Sequence, residues 1–230
     1  MTNLNLISIN ARGLNIPHKR TTILGFLHKR NIDFAMIQES HLLRKDAARF
    51  ANRLYHPIVF SSAPTKTKGV MIVCRRKLKF DLIGSWTDKE GRLAIAKIRL
   101  DGQNIALISA YAPNTFEAGF YDQLTKTLRD LTGFRLVMGT DFNAVWDSNM
   151  DRTGGAESRD QRLASDALRR WAAQTNMIDI WRVMNPSIKD YSFFSDISYL
   201  EISTARVHGA KESTVEMWTS LIVNLKGILG

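Results

Sequence analysis

The chain has 230 residues, 44% of them hydrophobic, and a net charge of +10 with a sequence pI near 9.9. That length and apolar content suit one large domain with core enough to fold alone, and the charge favours a polyanionic partner, nucleic acid foremost. A single cysteine excludes an internal disulfide, and no apolar stretch is long enough for a membrane-spanning helix.

In chain order, Leu4 to Ile9 reads as a strand that ends in Asn10. Pro17 to Arg30 places Ile23, Leu24 and Leu27 on one face and reads as a helix. Phe34 to Gln38 is a strand-like run ended by Glu39. Further strand-like runs lie near 57–61 and 69–75; the second contains Cys74, expected as a packed, inert thiol. The basic cluster Arg75-Arg76-Lys77-Leu78-Lys79 is either a phosphate contact or a solvated edge between two strands. Lys79 to Trp86 and Arg92 to Leu100, joined by the polar turn Thr87 to Gly91, read as a hairpin. A strand near 104–111 ends in Tyr111. Glu117 to Leu131 sets Phe120, Leu124, Leu128 and Leu131 at helical spacing. Phe134 to Gly139 leads into Asp141-Phe142-Asn143. Arg162 to Thr175 is the third helix, with Leu163, Ala167, Leu168 and Trp171 in phase. Hairpins mixed with helical crossovers imply an α/β sandwich with mixed sheets.

The tail differs in charge. Residues 197–230 hold three basic side chains (Arg206, Lys211, Lys226) and three acidic ones (Glu201, Glu212, Glu216), so the positive excess lies upstream. Ser213 to Glu216 fits a capping box, and Val215, Trp218, Leu221, Ile222, Leu225 and Ile228 follow at helical spacing. An amphipathic helix near 213–229 is predicted, packing on the chain's own core or self-associating. The N-terminus lacks the basic and apolar regions of a secretory signal, so a reducing, intracellular setting is expected.

Four strand-like runs thus each end in one polar group: Asn10, Glu39, Tyr111 and Asp141, with Asn143 two residues on. Singly, each is an ordinary strand-end turn former or cap. Together they have the form in which an α/β scaffold assembles a site from distant segments. Their ligands are oxygens, with no thiolate, which suits a hard cation, Mg²⁺ above all; Glu39, helped by Asn10 or Asp141, would satisfy it. Tyr111 and Ser192, in Tyr191-Ser192-Phe193-Phe194-Ser195, are either hydroxyl donors to a phosphate or a packing tyrosine and an incidental serine. His41 reads as a hydrogen-bonding surface residue.

Several segments resemble the endonuclease/exonuclease/phosphatase superfamily, and within it the apurinic-type endonuclease domain of LINE non-LTR retrotransposons. They are Ser8 to Leu14, Gln38 to Leu42, Ala110 to Asn114 and Gly139 to Asn143, in that order. Sub-family features are Asp147 with Asp151-Arg152, Asp179 to Arg182 with Asn185-Pro186, and Tyr191 to Ser195. The resemblance implies a domain over 1–195 with a divergent tail at 196–230. The implied fold is a four-layer α/β sandwich, two packed mixed sheets flanked by helices, incomplete at the C-terminus. It implies an endonuclease that nicks DNA with Mg²⁺ (Mn²⁺ as a substitute), acting in the nucleus. By resemblance Glu39 is the principal metal ligand with Asn10 beside it, and Asp141 orients the attacking water. Asn143 and Tyr111 donate to the scissile phosphate, and Ser192, Arg12 and Asn114 contact the DNA.

The family continues after the Phe-Phe-Ser segment with an Arg-Ile-Asp-Tyr type strand and ends with Ser-Asp-His, whose histidine is a general base or phosphate contact. Here Ser195 is followed by Asp196 to Glu201, and 196–230 contains no Asp-His pair; its one histidine is His208. Impaired catalysis is therefore expected. A non-catalytic nucleic-acid-binding remnant is the alternative. A superfamily phosphatase on a small phosphoester suits the motifs but not the charge.

Overall fold

A computed structural model of the chain describes residues 3–147, 150–151 and 158–188, and the backbone of 201–206 and 220–224. Strands β1 (Asn5–Asn10), β2 (Phe34–Gln38), β3 (Tyr55–Ser61), β4 (Val70–Arg75) and β10 (Glu201–Arg206) form one sheet in the order β10-β1-β2-β4-β3. A second sheet has the order β5-β6-β7-β8-β11-β9. Its strands are β5 (Asp81–Thr87), β6 (Leu93–Leu100), β7 (Gln103–Tyr111), β8 (Arg135–Asp141), β9 (Met177–Asp179) and β11 (Ser220–Asn224). Each sheet is mixed: β1 runs parallel to β2 and β7 parallel to β8, while the remaining pairs are antiparallel.

Three buried clusters separate four layers. Helix α1 (Pro17–Lys29) lays Ile23, Leu24 and Leu27 on Ile7, Ile9, Ala35 and Ile37, the outer face of the first sheet. The inner faces meet through Leu6, Phe34, Met36 and Ile72 on one side and Ala94, Ala96, Leu107 and Val137 on the other. Helices α2 (Ala118–Arg129) and α3 (Arg159–Thr175) cover the outer face of the second sheet, with Leu124 and Trp171 against Ile95, Ile108 and Met138. Burial of both faces of the first sheet explains why β2 and β4 read as nearly continuous apolar runs. No helix among the described residues is long and apolar enough to cross a membrane.

Helix α3 begins at Arg159, three residues before the predicted start. Ser158 Oγ accepts from Gln161 N while Gln161 Oε1 accepts from Ser158 N, a capping box that satisfies two end donors. Unpredicted elements are the 3₁₀ helix Arg44–Arg49, strand β9 and the short helix α4 (Ile180–Met184). The predicted tail helix is corrected at 220–224, where β11 pairs antiparallel with both β8 and β9. Leu221-Ile222-Val223 is a short, β-branched apolar run, and pairing on two sides outweighs the helical spacing of its neighbours. The rest of that predicted helix lies outside the described residues, as do Ser192, Arg152 and His208. The backbone of 201–206 extends the first sheet beside β1, so each sheet takes one strand from the tail.

The basic cluster after β4 has the structural role. Arg75 donates to Ile32 O (3.2 Å) and lies 3.9 Å from Asp33, and Arg76 donates to Asn52 O (2.8 Å), at the opposite end of the sandwich from Glu39. Cys74 is a free, buried thiol whose pKa burial pushes up to about 11. The sub-family residues around Asp151 form a brace. Asp151 pairs with Arg182 and accepts from Asp147 N (2.8 Å). Asp179 caps α4 by accepting from Trp181 N and Arg182 N, and Arg182 lies 4.8 Å over the Trp181 ring.

The two sheets approach closely at Gly139. A Cβ there would sit 2.5 Å from Met36 Cβ and 2.8 Å from Ser8 Oγ. Around it Gln38 Nε2 crosses the core to donate to Ser8 Oγ (3.2 Å), Ser109 Oγ (3.2 Å) and Gly139 O (3.0 Å). A buried amide this well partnered fixes how the sheets stack, because leaving it unpaired is costly. Gly139→Ala is expected to destabilise the fold by about 1–3 kcal/mol by forcing the sheets apart. A lower denaturation midpoint checks this; an unchanged midpoint would show that Met36 and Ser8 yield freely.

Candidate active site

Strands β1, β2, β7 and β8 end on the same side of the sandwich, and the loops that follow are stitched together. Ala11 N donates to Gln38 O (2.9 Å), Gly13 N to Glu39 O (2.7 Å) and Leu14 N to Ser40 O (2.8 Å), so the β1 and β2 ends stay paired beyond the sheet. Ala112 N donates to Asp141 O (2.8 Å), which does the same for β7 and β8. Gly13, at φ +87°, lets the first loop pass His41, whose Nδ1 would stand 3.0 Å from an added Cβ. Among non-glycine residues, Arg12 (φ 42°), Glu39 (49°), His41 (52°) and Asn143 (48°) all occupy the left-handed region. Such backbone costs of order 1–3 kcal/mol each and gathers at working sites rather than in scaffolds.

Asn10 is the centre of the arrangement. Its Nδ2 donates to Glu39 Oε1 (2.9 Å) and to Asp141 Oδ2 (2.7 Å), joining carboxylates 102 positions apart in the chain. Its Oδ1 accepts from Arg12 N (2.9 Å). Asn10 therefore turns its nitrogen, not its oxygen, toward Glu39, and holds the two carboxylates in position. Asp141 Oδ1 accepts from Asn143 N (2.9 Å). Tyr111 donates its hydroxyl to Asn114 Oδ1 (2.8 Å) within reach of Glu39, and Asn143 Nδ2 donates to Ala112 O (2.9 Å) and Asn114 Oδ1 (3.1 Å). Asn10, Glu39, Tyr111, Asp141, Asn143, Arg12 and Asn114 thus share one cleft.

Two further residues belong to the cleft. His41 Nε2 lies 3.4 Å from Glu39 Oε2. Lys19, one turn into α1, donates to Arg12 O (3.1 Å); burial and the nearby Arg12 charge hold its ammonium below the usual lysine range, against the opposing pull of Glu39. His41 stands two residues after Glu39, a spacing visible in the sequence. Nothing in the sequence marks Lys19 beyond its basic neighbours.

The two carboxylates differ electrostatically. Burial would raise the Glu39 carboxyl, but donors from His41, Asn10 and Tyr111 outweigh it and bring it below the ordinary carboxylate value. Asp141 goes the other way. Its carboxyl group is enclosed although the residue is only partly shielded, and burial, with the charge of Glu39 adding to it, raises its pKa against the donors Asn143 and Asn10. Burial and both carboxylates also push the Tyr111 phenol well up, so it stays a protonated donor. Two carboxylates pushed apart in this way suit one to stay ionised and the other to accept a proton.

The donor set fits a hard divalent cation. Its oxygens are the carboxylates of Glu39 and Asp141, held by the neutral amide of Asn10. Among the described residues no group of three His, Cys, Asp or Glu is gathered as a ready ligand cage. Two carboxylates brought together by one amide suit Mg²⁺, which takes one or two carboxylates and keeps several waters.

A model of the endonuclease/exonuclease/phosphatase family matches residues 3–196. Solved structures of the same fold include the AP endonuclease LMAP from Leishmania major (15% identity, TM-score 0.74, covering 96% of this chain and 79% of that one). The endonuclease domain of TRAS1, a telomere-specific non-LTR retrotransposon, matches at 15% identity and TM-score 0.56, covering 77% of this chain and 73% of that one. The 3′-5′ exonuclease NExo from Neisseria meningitidis matches at 16% identity and TM-score 0.65, covering 97% and 88%.

Proposed function

Because the chain belongs to the endonuclease/exonuclease/phosphatase family, we propose that its cleft is a metal-dependent DNA phosphodiesterase site of retrotransposon type. One observation carries the reading: the Asn10 amide holds Glu39 and Asp141, from opposite sheets, on one point at the strand ends. The net charge of +10 supports DNA over a small phosphoester. The motifs around Asp147, Asp179 and Tyr191 support the retrotransposon sub-family.

Glu39 is the carboxylate that holds Mg²⁺ or Mn²⁺. The bound cation would neutralise charge on the phosphate and leaving oxygens. Asn10 keeps Glu39 and Asp141 at fixed separation. Asp141 orients the attacking water and takes its proton as the water oxygen bonds to phosphorus and the bond from phosphorus to the departing sugar oxygen breaks, that oxygen leaving to be protonated by solvent. Asn143 and Tyr111 donate to the non-bridging oxygens as charge develops there, and Arg12 and Asn114 contact the neighbouring strand. In this chain no Asp-His pair stands in 196–230, so Asp141 acts as base alone and turnover is slow. A non-catalytic, DNA-binding remnant is the limiting case of the same defect.

DNA affinity is expected to fall steeply with salt. A protein making six to ten phosphate contacts loses about 10³–10⁵ in affinity between roughly 50 and 200 mM salt. Duplex binding followed by fluorescence anisotropy across that range tests the reading; a flat response would remove DNA as the partner.

A further inference from the structure

Strand β5 is the free edge of the second sheet, and it exposes Trp86 at 42% of its surface. Trp86 pairs with Ile95 and Gly84 with Lys97, on the face that carries α2. Between that edge and α2 lies a groove of about 340 Å³, lined by Trp86 and Lys97 from the sheet and by Gln123, Lys126, Thr127 and Asp130 from the helix. Its size is that of a small-ligand site. The Lys97 ammonium is held 5.7 Å over the Phe134 ring, and neither Lys97 nor Lys126 is paired with a carboxylate among the described residues. Gly84 leaves the mouth open, since a Cβ there would meet nothing within 4 Å.

We propose that this groove is a second nucleic-acid contact, which takes one base of a single strand on the Trp86 indole with its flanking phosphates on Lys97 and Lys126. An exposed indole that shares a groove with two lysine ammoniums is the pairing that single-strand binders use, with stacking on the aromatic face and charge along the backbone. Gln123, Thr127 and the Asp130 carboxylate supply donors and acceptors for a base edge. Two lysines against one carboxylate favour a polyanion over an apolar peptide added to the β5 edge. The groove is outside the cleft: Ile95 pairs with Ile108, three residues before Tyr111, so Trp86 lies roughly 14 Å from Tyr111 by strand spacing. A strand leaving the cleft over the β5 side would meet it.

The test is anisotropy with short oligo(dT) and oligo(U), in EDTA so that nothing is cut, beside a duplex of the same length. Trp86→Ala is expected to weaken single-strand binding roughly tenfold, the scale of one lost stacking contact, with Trp86→Phe retaining most of the affinity. Lys126→Glu should weaken it too. Gly84→Glu, which the open space at that position accommodates, should do the same without disturbing the fold. Duplex affinity should be nearly unchanged in Trp86→Ala. Single-strand binding that is absent, or that survives both Trp86→Ala and Lys126→Glu, overturns the proposal. An equal loss on duplex also overturns it, because Trp86 would then serve the cleft. Binding of an acidic apolar peptide that depends on Trp86, with oligonucleotide binding indifferent to it, would assign the groove to a protein partner instead. Failure here with salt-dependent duplex binding intact would leave the cleft reading standing.

Discussion

Glu39→Ala is expected to abolish the stabilisation that Mg²⁺ or Mn²⁺ gives the wild-type chain. A cation bound only by the native state at about a hundred times its Kd adds about 2.7 kcal/mol, which for a domain of this size raises Tm by roughly 5–10 °C. The Glu39 carboxylate, kept ionised by His41, Asn10 and Tyr111, is the group this binding depends on. The Asn10–Asp141 bond (2.7 Å) and the backbone bonds between the loops do not use the Glu39 side chain, so the variant should keep its fold. Melting curves of both proteins across a metal titration check the expectation. An equal shift in the variant would show that the ion binds elsewhere.

The second large effect concerns the Asp-His pair that residues 196–230 do not contain. Replacing 196–230 by the family's terminal strands, with their Asp and Ser-Asp-His residues, is expected to raise single-turnover cleavage by about 10²–10⁴, the usual worth of a positioned general base. The replacement must also resupply the backbone that pairs with β1 at 201–206 and with β8 and β9 at 220–224. A folded hybrid that cuts no faster than the original would show that residues already in the cleft suffice. His41 would be the first to examine, since it stands 3.4 Å from Glu39.

Much of this architecture is legible in the sequence because the physics is local. Ile23, Leu24 and Leu27 mark α1, and Pro17 opens it where a missing N–H does no harm. The strand ends at Asn10, Glu39, Tyr111 and Asp141 are legible because each closes a mostly apolar, strand-like run. What the sequence withholds is tertiary. That Asn10 points its nitrogen at both carboxylates follows from Arg12 N occupying its oxygen, a loop geometry with no sequence signature. Gln38 reads as one more strand residue, yet it bridges the two sheets under the site. Short elements fail for another reason. Met177 to Met184 is too brief to show any period, and it turns from strand to helix at the Asp179 cap. At Leu221 to Val223 helical spacing misleads, because the neighbours that decide are β8 and β9, some 80 and 45 positions upstream.

The most direct measurement is nicking of supercoiled plasmid by the chain in Mg²⁺, in EDTA, and as Asp141→Ala. Weak nicking is expected in Mg²⁺, disappearing in EDTA and in Asp141→Ala, with the variant still folded and still binding DNA. Nicking that persists in Asp141→Ala, or that ignores EDTA, would contradict a metal-dependent site built on Asn10, Glu39 and Asp141.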